Sequence, residues 1–234
     1  MPMSKLRQQW SSISLEKKLG MFVAPVVVAV VSGVLVEVLT GEDVPPATPS
    51  TPQTSTSGLS QHFADATRPG GRNYFEDEGE TMFVKASGPG PVLVPAESDD
   101  LLQDVRMSVH AKWVSGAQSY GIGLICRYAS PRDYYLLGVL NGSQYNIVRY
   151  RKGRPGVSLT GGVQTSEAIH GDDYDIDVRC VGSDPVTLTL SVGGQEVDTV
   201  RDPAGIEEGN VGIRVGTSES VVTCSFRDFE LHSL

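Results

Sequence analysis

The chain is poor in charge and in aromatic rings: of its 234 residues, 20% are Asp, Glu, Lys or Arg and 7% are Phe, Trp or Tyr. Low charge together with 26 Gly and 14 Pro excludes a coiled coil, which is built from Ala, Glu, Lys, Leu and Arg. A 39% share of apolar residues excludes a wholly disordered chain. There is no basic excess either. The net charge is −9, and a protein that binds duplexes needs Lys and Arg to neutralise phosphates, so nucleic acid is not an expected partner. Only three cysteines occur, none in C-x-x-C spacing, which argues against structural zinc. The four histidines fall in no H-E-x-x-H motif and no G-x-S-x-G elbow is present, so no local signature of catalysis is found.

One long apolar run is present. Residues 19–39, LGMFVAPVVVAVVSGVLVEVL, carry a single charge, Glu37. As an α-helix the run rises about 1.5 Å per residue and spans roughly 30 Å, the hydrocarbon thickness of a bilayer. Val38-Leu39-Thr40 is a poor signal-peptidase site, so an uncleaved signal anchor is expected. Lys5, Arg7, Lys17 and Lys18 precede the run, and Glu42 and Asp43 follow it, which orients the N-terminus toward the cytoplasm. The expected organisation is a basic cytoplasmic tail (1–18), a transmembrane helix (19–40), a Pro/Thr/Ser-rich linker (41–60) and an extracytoplasmic domain (61–234). The linker GEDVPPATPSTPQTSTSGLS has no apolar periodicity and its prolines favour an extended stalk. The first 59 residues hold as many basic as acidic groups, so the whole negative charge belongs to the remaining 175.

Beyond the linker the texture is short alternating strands. The segment 173–181, DYDIDVRCV, sets Tyr174, Ile176, Val178 and Cys180 against Asp173, Asp175, Asp177 and Arg179. The same period of two runs through 104–114, 119–129, 133–140, 144–151, 186–192, 209–216 and 221–231. Asn141-Gly142 and Gly193-Gly194 supply the positive φ that tight hairpins need, and Lys152-Gly153 is a third candidate. Many such strands in one core predict an all-β, two-sheet antiparallel sandwich of jelly-roll type. By alternation Cys126, Cys180 and Cys224 all point inward. An odd count outside the membrane means one disulfide with one thiol left over, or three reduced core cysteines.

The motifs Gly123-Leu124-Ile125-Cys126-Arg127, Asp133-Tyr134-Tyr135, Asn141-Gly142 and Tyr145-x-Ile147 come first along the chain. Val178-Arg179-Cys180-Val181-Gly182, Leu188-x-Leu190-x-Val192-Gly193-Gly194, Gly209-x-Val211-Gly212 and Phe226-x-Asp228-Phe229 follow. In this order they resemble bacterial exported domains of the concanavalin A-like, laminin-G-like jelly roll, including the 3-keto-disaccharide hydrolase-like group. The resemblance covers roughly residues 62–234. It implies a sandwich whose concave face binds carbohydrate or a cell-envelope protein, and it implies the pairing Cys126–Cys180 with Cys224 a buried thiol. The alternative it carries is an exported glycoside hydrolase-like enzyme acting on a sugar derivative. A fold by itself implies no reaction.

Hydrolases of this fold work with paired carboxylates. Glu76-Asp77-Glu78-Gly79-Glu80 has the wrong spacing, and Asp173, Asp175 and Asp177 read as an exposed polar strand face. No cofactor is expected. The weak candidates for calcium are those three aspartates, Asp172-Asp173 and Asp99-Asp100. With Leu124, Cys126, Tyr135, Leu137, Tyr145 and Ile147 placed in the core, Arg106, His110, Arg127, Tyr134, Asn146 and Tyr150 fall on the opposite side. They are the expected ligand-binding residues of the concave face, since Arg, Tyr and Asn can hydrogen-bond sugar hydroxyls.

Overall fold

The computed structural model describes residues 63–66, 71–97, 100–219 and 221–234. The tail, apolar run and linker expected within residues 1–60 lie outside the described residues, as does Asp99. In chain order the strands are β1 (Gly71–Glu76), β2 (Thr81–Ser87), β3 (Gly90–Pro95), β4 (Val105–Gly116), β5 (Tyr120–Ser130), β6 (Asp133–Leu140) and β7 (Gln144–Tyr150). They continue with β8 (Val157–Ser158), β9 (Gln164–Thr165), β10 (Asp173–Val181), β11 (Val186–Val192), β12 (Gln195–Asp202), β13 (Asn210–Thr217) and β14 (Val221–Ser233). The eight strands expected from alternation are all present, with ends within about two residues of those expected.

Two antiparallel sheets result. The first has the order β1-β2-β14-β4-β10-β11-β12, and the second β3-β13-β5-β6-β7-β8 with β9 pairing β7. Late strands lie between early ones, β14 between β2 and β4 and β13 between β3 and β5, which is consistent with a jelly-roll sandwich. Gly193 and Gly194, at φ 59° and 78°, close the two-residue hairpin between Val192 and Gln195.

Alternation works simply in the first sheet. In β10, Tyr174, Ile176, Val178 and Cys180 are buried while Asp173, Asp175 and Arg179 are exposed. In β11, Val186, Leu188, Leu190 and Val192 are buried. The second sheet differs, because β5 and β6 are buried on both faces over residues 122–127 and 134–139. Ile122, Leu124, Tyr135 and Leu137 belong to the main core between the sheets. Their sequence neighbours Ile125, Tyr134 and Leu136 join Leu93 and Val148 in a second apolar cluster, with Tyr128 and Tyr150 packed against it. Successive side chains in a strand point to opposite faces, so this second cluster lies on the outer face of the sheet.

The sheets are tied together at one end. Cys126 of β5 is joined to Cys180 of β10, with Cα atoms 6.7 Å apart, and Cys224 is a buried free thiol whose pKa burial pushes up to about 12. Arg127, the next residue, has φ 52° and sits where the β5–β6 register shifts. This bulge turns its side chain inward, and Arg127 is fully buried rather than facing solvent as alternation alone predicts. Its guanidinium donates to the carbonyls of Ile206 (2.6 Å), Gly182 (2.6 Å) and Gln103 (3.1 Å), and contacts the Asp104 carboxylate at 3.4 Å. Burial pulls its pKa down, opposed by Tyr135 and Asp104.

Asp202 of β12 is buried beside this cluster. It accepts from the Tyr135 hydroxyl (2.7 Å), the Arg149 guanidinium and the Ala204 amide (3.1 Å). Burial works against its ionisation, but the Tyr135 and Arg149 hydrogen bonds outweigh burial and hold its pKa below the usual aspartate value. A lowered carboxylate pKa contributes stability that is fully present above the unfolded value of about 4 and is lost as pH falls through the folded value. In urea titrations, Asp202→Asn is expected to be less stable at pH 7 by about 1–3 kcal/mol. Its stability should also fall less steeply than that of the parent protein below about pH 4. Parallel acid limbs for the two proteins would contradict this account.

Candidate functional site

The six residues expected to share one concave face are divided among three places. Arg106 and His110 are on the outer face of β4 in the first sheet, paired in register with Arg179 and Asp175 of β10. Arg127 is in the interior. Tyr134, Asn146 and Tyr150 are on the outer side of the second sheet, where Tyr134 is 1% exposed and stacks beneath Tyr150 with ring centroids 4.7 Å apart. Alternation reports the side of a strand that faces the core but not the sheet to which the strand belongs, so two opposite surfaces were merged into one.

The outer face of the first sheet carries the three aspartates of β10, and each has a basic side chain beside it. Arg106 pairs with Asp177 at 2.8 Å and Lys112 with Asp173 at 3.2 Å. The two ring nitrogens of His110 face Asp173 (2.8 Å) and Asp175 (2.7 Å). A groove of about 400 Å³ on this face is also lined by Asp228 and Glu230. The aspartate ladder is thus held by basic neighbours across the β4–β10 pairing, and among the described residues no group of three or more His, Cys, Asp or Glu is arranged to hold a metal ion.

The outer face of the second sheet has another character. Gly123 of β5 lies directly opposite Gly138 of β6, with Arg214 of β13 on one side of the pair and Asn146 of β7 on the other. Gly138 leaves backbone open in the floor of a furrow, while the Leu136 side chain packs against Gly123. A Cβ at Gly138 would stand 2.8 Å from the Ile122 carbonyl oxygen, and one at Gly123 2.7 Å from the Leu137 oxygen, so the close strand contact itself demands glycine there. Three cavities of about 320, 130 and 450 Å³ follow one another along this face. The first two share Gly121, Leu140 and Arg214, and the last two share Tyr150. Pro91 of edge strand β3 and the 153–156 segment beyond β7 line the same cavity, although three strands separate β3 from β7. The 153–156 segment therefore folds back over Tyr150 toward Pro91 and walls this end of the face.

The polar groups of the furrow are mainly donors. The Arg214 guanidinium carbon lies 5.6 Å from the centre of the Tyr150 ring, close enough for a cation–π contact. The Arg214 Nε is buried without a hydrogen-bond partner among the described residues. Burial pushes the Tyr134 pKa up to about 12 against the pull of Arg214, so its hydroxyl keeps its proton. The Ser158 hydroxyl donates to Asn146 Oδ1 (2.7 Å), and Thr160 Oγ1 lies 2.9 Å from the same oxygen. The Asn146 amide nitrogen is left without an acceptor among the described residues. Arg214, which the sequence reading did not single out, was accessible to it: in 209–216 it alternates with Val211, Ile213 and Val215, which are buried in the core.

No protein-family model and no curated protein matches the chain. Among solved structures it is similar to the carbohydrate binding module CBM66 from Bacillus subtilis, at 14% identity and a TM-score of 0.57, over 73% of this chain and 97% of that one. It is also similar to a sialidase, at 12% identity and a TM-score of 0.50, over 75% of this chain and 19% of that one. These likenesses show the fold alone, a two-sheet β-sandwich.

The two kinds of glycine in the furrow are separable by experiment. Gly138→Ala drives a Cβ against backbone that cannot move aside and is expected to cost about 1–3 kcal/mol in urea unfolding. A Cβ at Gly121 meets its nearest neighbours at 3.7–3.8 Å, so Gly121→Ala is expected to stay within about 0.5 kcal/mol of the parent. Equal effects at the two positions would contradict the close-contact account of the floor.

Proposed function

We propose that the chain is a single-pass, membrane-anchored binding module that presents its domain outside the cytoplasm and takes carbohydrate in the furrow of the second sheet. The observation that carries this reading is the furrow on that face, with Gly121 and Gly138 in its floor and Arg214, Asn146 and Tyr150 along it. A glycine floor admits a flat, polar ring close to the sheet, and amide and guanidinium donors at its margins match ring hydroxyls and acetal oxygens. The likeness of the fold to a carbohydrate binding module supports the same reading. The apolar run 19–39, with basic residues before it and acidic ones after it, supports the anchor and its orientation, and the Pro/Thr/Ser stretch supports a stalk.

Two measurements test this. Glycan binding by the purified protein is expected to weaken by about tenfold or more in Tyr150→Ala, which removes the ring beside Arg214, and to be unchanged in His110→Ala on the other sheet. The reverse pattern would move the site to the first sheet. In intact cells, added protease is expected to cleave residues 61–234 from the membrane. Full protection of the domain, with cleavage appearing only after lysis, would overturn the orientation.

A further inference from the structure

The two outer faces handle charge in opposite ways. On the first sheet Arg106, His110 and Lys112 each meet a carboxylate of the same chain. On the second, among the described residues, Arg132, Arg154 and Arg214 form no ion pair, and none of the three cavities along the furrow is lined by Asp or Glu. This cationic strip belongs to a chain with a net charge of −9. Acidic residues to match it are plentiful in the sequence and are placed elsewhere. The Arg214 Nε points the same way, because it is buried without a hydrogen-bond partner among the described residues. An unsatisfied buried donor costs roughly 1–3 kcal/mol, which a ligand acceptor recovers on binding.

We propose, resting on the carbohydrate reading above, that the ligand of the furrow is an acidic glycan whose sugar carboxylates meet Arg214, Arg132 and Arg154. A planar guanidinium accepts a carboxylate through two parallel hydrogen bonds, a geometry that a neutral hydroxymethyl group cannot match. Arg214 is held beside the Tyr150 ring over the middle of the furrow, while Arg132 and Arg154 are exposed at the end beside Tyr134. A chain of acidic sugars would therefore meet cations at successive positions along one groove.

The test is calorimetric titration of the full-length protein with polygalacturonate, alginate and hyaluronate. Each polymer is also tested after chemical reduction of its carboxylates to neutral hydroxymethyl groups. At least one acidic polymer is expected to bind about tenfold or more tightly than its reduced form. That preference should shrink as salt is raised. The double variant Arg132→Gln/Arg154→Gln is expected to lose most of the preference. Arg106→Gln, on the other sheet, is expected to keep the preference whole. Equal or tighter binding of the reduced polymers overturns the acidic ligand and leaves the carbohydrate module standing. Absence of binding to every polymer, acidic and reduced, overturns both.

Discussion

A single buried charge organises one end of this sandwich. Arg127 has no exposure, yet a guanidinium stays charged in proteins, so its donors must all be met by oxygen. They are met by carbonyls from three separate connections, at Gln103, Gly182 and Ile206, with the Asp104 carboxylate alongside. Losing these acceptors would leave an uncompensated ion in the interior, at a cost of several kcal/mol. The loops before β4, after β10 and before β13 are thereby held in one relative arrangement. The adjacent Cys126–Cys180 link covalently joins β5, which carries Arg127, to β10, which runs into the connection at Gly182. Asp202, Tyr135 and Arg149 extend the polar cluster to the end of β12. Both sheets are therefore locked at this end by directional bonds, and elsewhere the mainly apolar interface is crossed by the Tyr120–Tyr174 and Tyr145–Asp198 hydrogen bonds.

That lock leaves the outer faces free to differ. The first sheet alternates clearly in β10 and β11 and offers solvent a polar ladder in which Arg106, His110 and Lys112 meet the aspartates of β10. The second is apolar on its outside as well, and the cluster around Leu136 and Val148 supports Tyr134 and Tyr150 from below. Rings supported in this way lose little freedom when they contact a ligand. Glycines at 123 and 138 bring β5 and β6 close and remove side chains where the supported rings need open space beside them.

The strands that could be read from sequence were those with the greatest contrast between faces. β10, with four buried apolar residues against three aspartates and an arginine, is the clearest case. β12, QEVDTVRD, eluded the reading because it is an edge strand that buries only its last residue, so its polarity has no period. β8 and β9, at two residues each, are too short to show any period. The outer face of the second sheet was only half legible. Asn146 and Tyr150 were identified because alternation put them opposite the core, and they do lie in the furrow. Arg106 and His110 were grouped with them because sheet membership arises from crossed connections between distant strands, which alternation does not record. Arg127 failed for a local reason: the bulge after Cys126 adds a half-step, and strict counting then assigns it to the wrong side.

The placement of β14 has a consequence for the order in which the molecule can be assembled. It lies between β2 and β4, paired with both, and it carries Cys224 near its start. Residues 81–116 thus supply two strands whose shared neighbour is made more than a hundred residues later. A nascent chain emerging N-terminus first would expose two unsatisfied edges after Cys126 and Cys180 are already made, and the third thiol arrives only with the strand that buries it. Closure of the first sheet is therefore a late event that depends on contacts distant in sequence, the type of topology that folds slowly and is most vulnerable before it is complete.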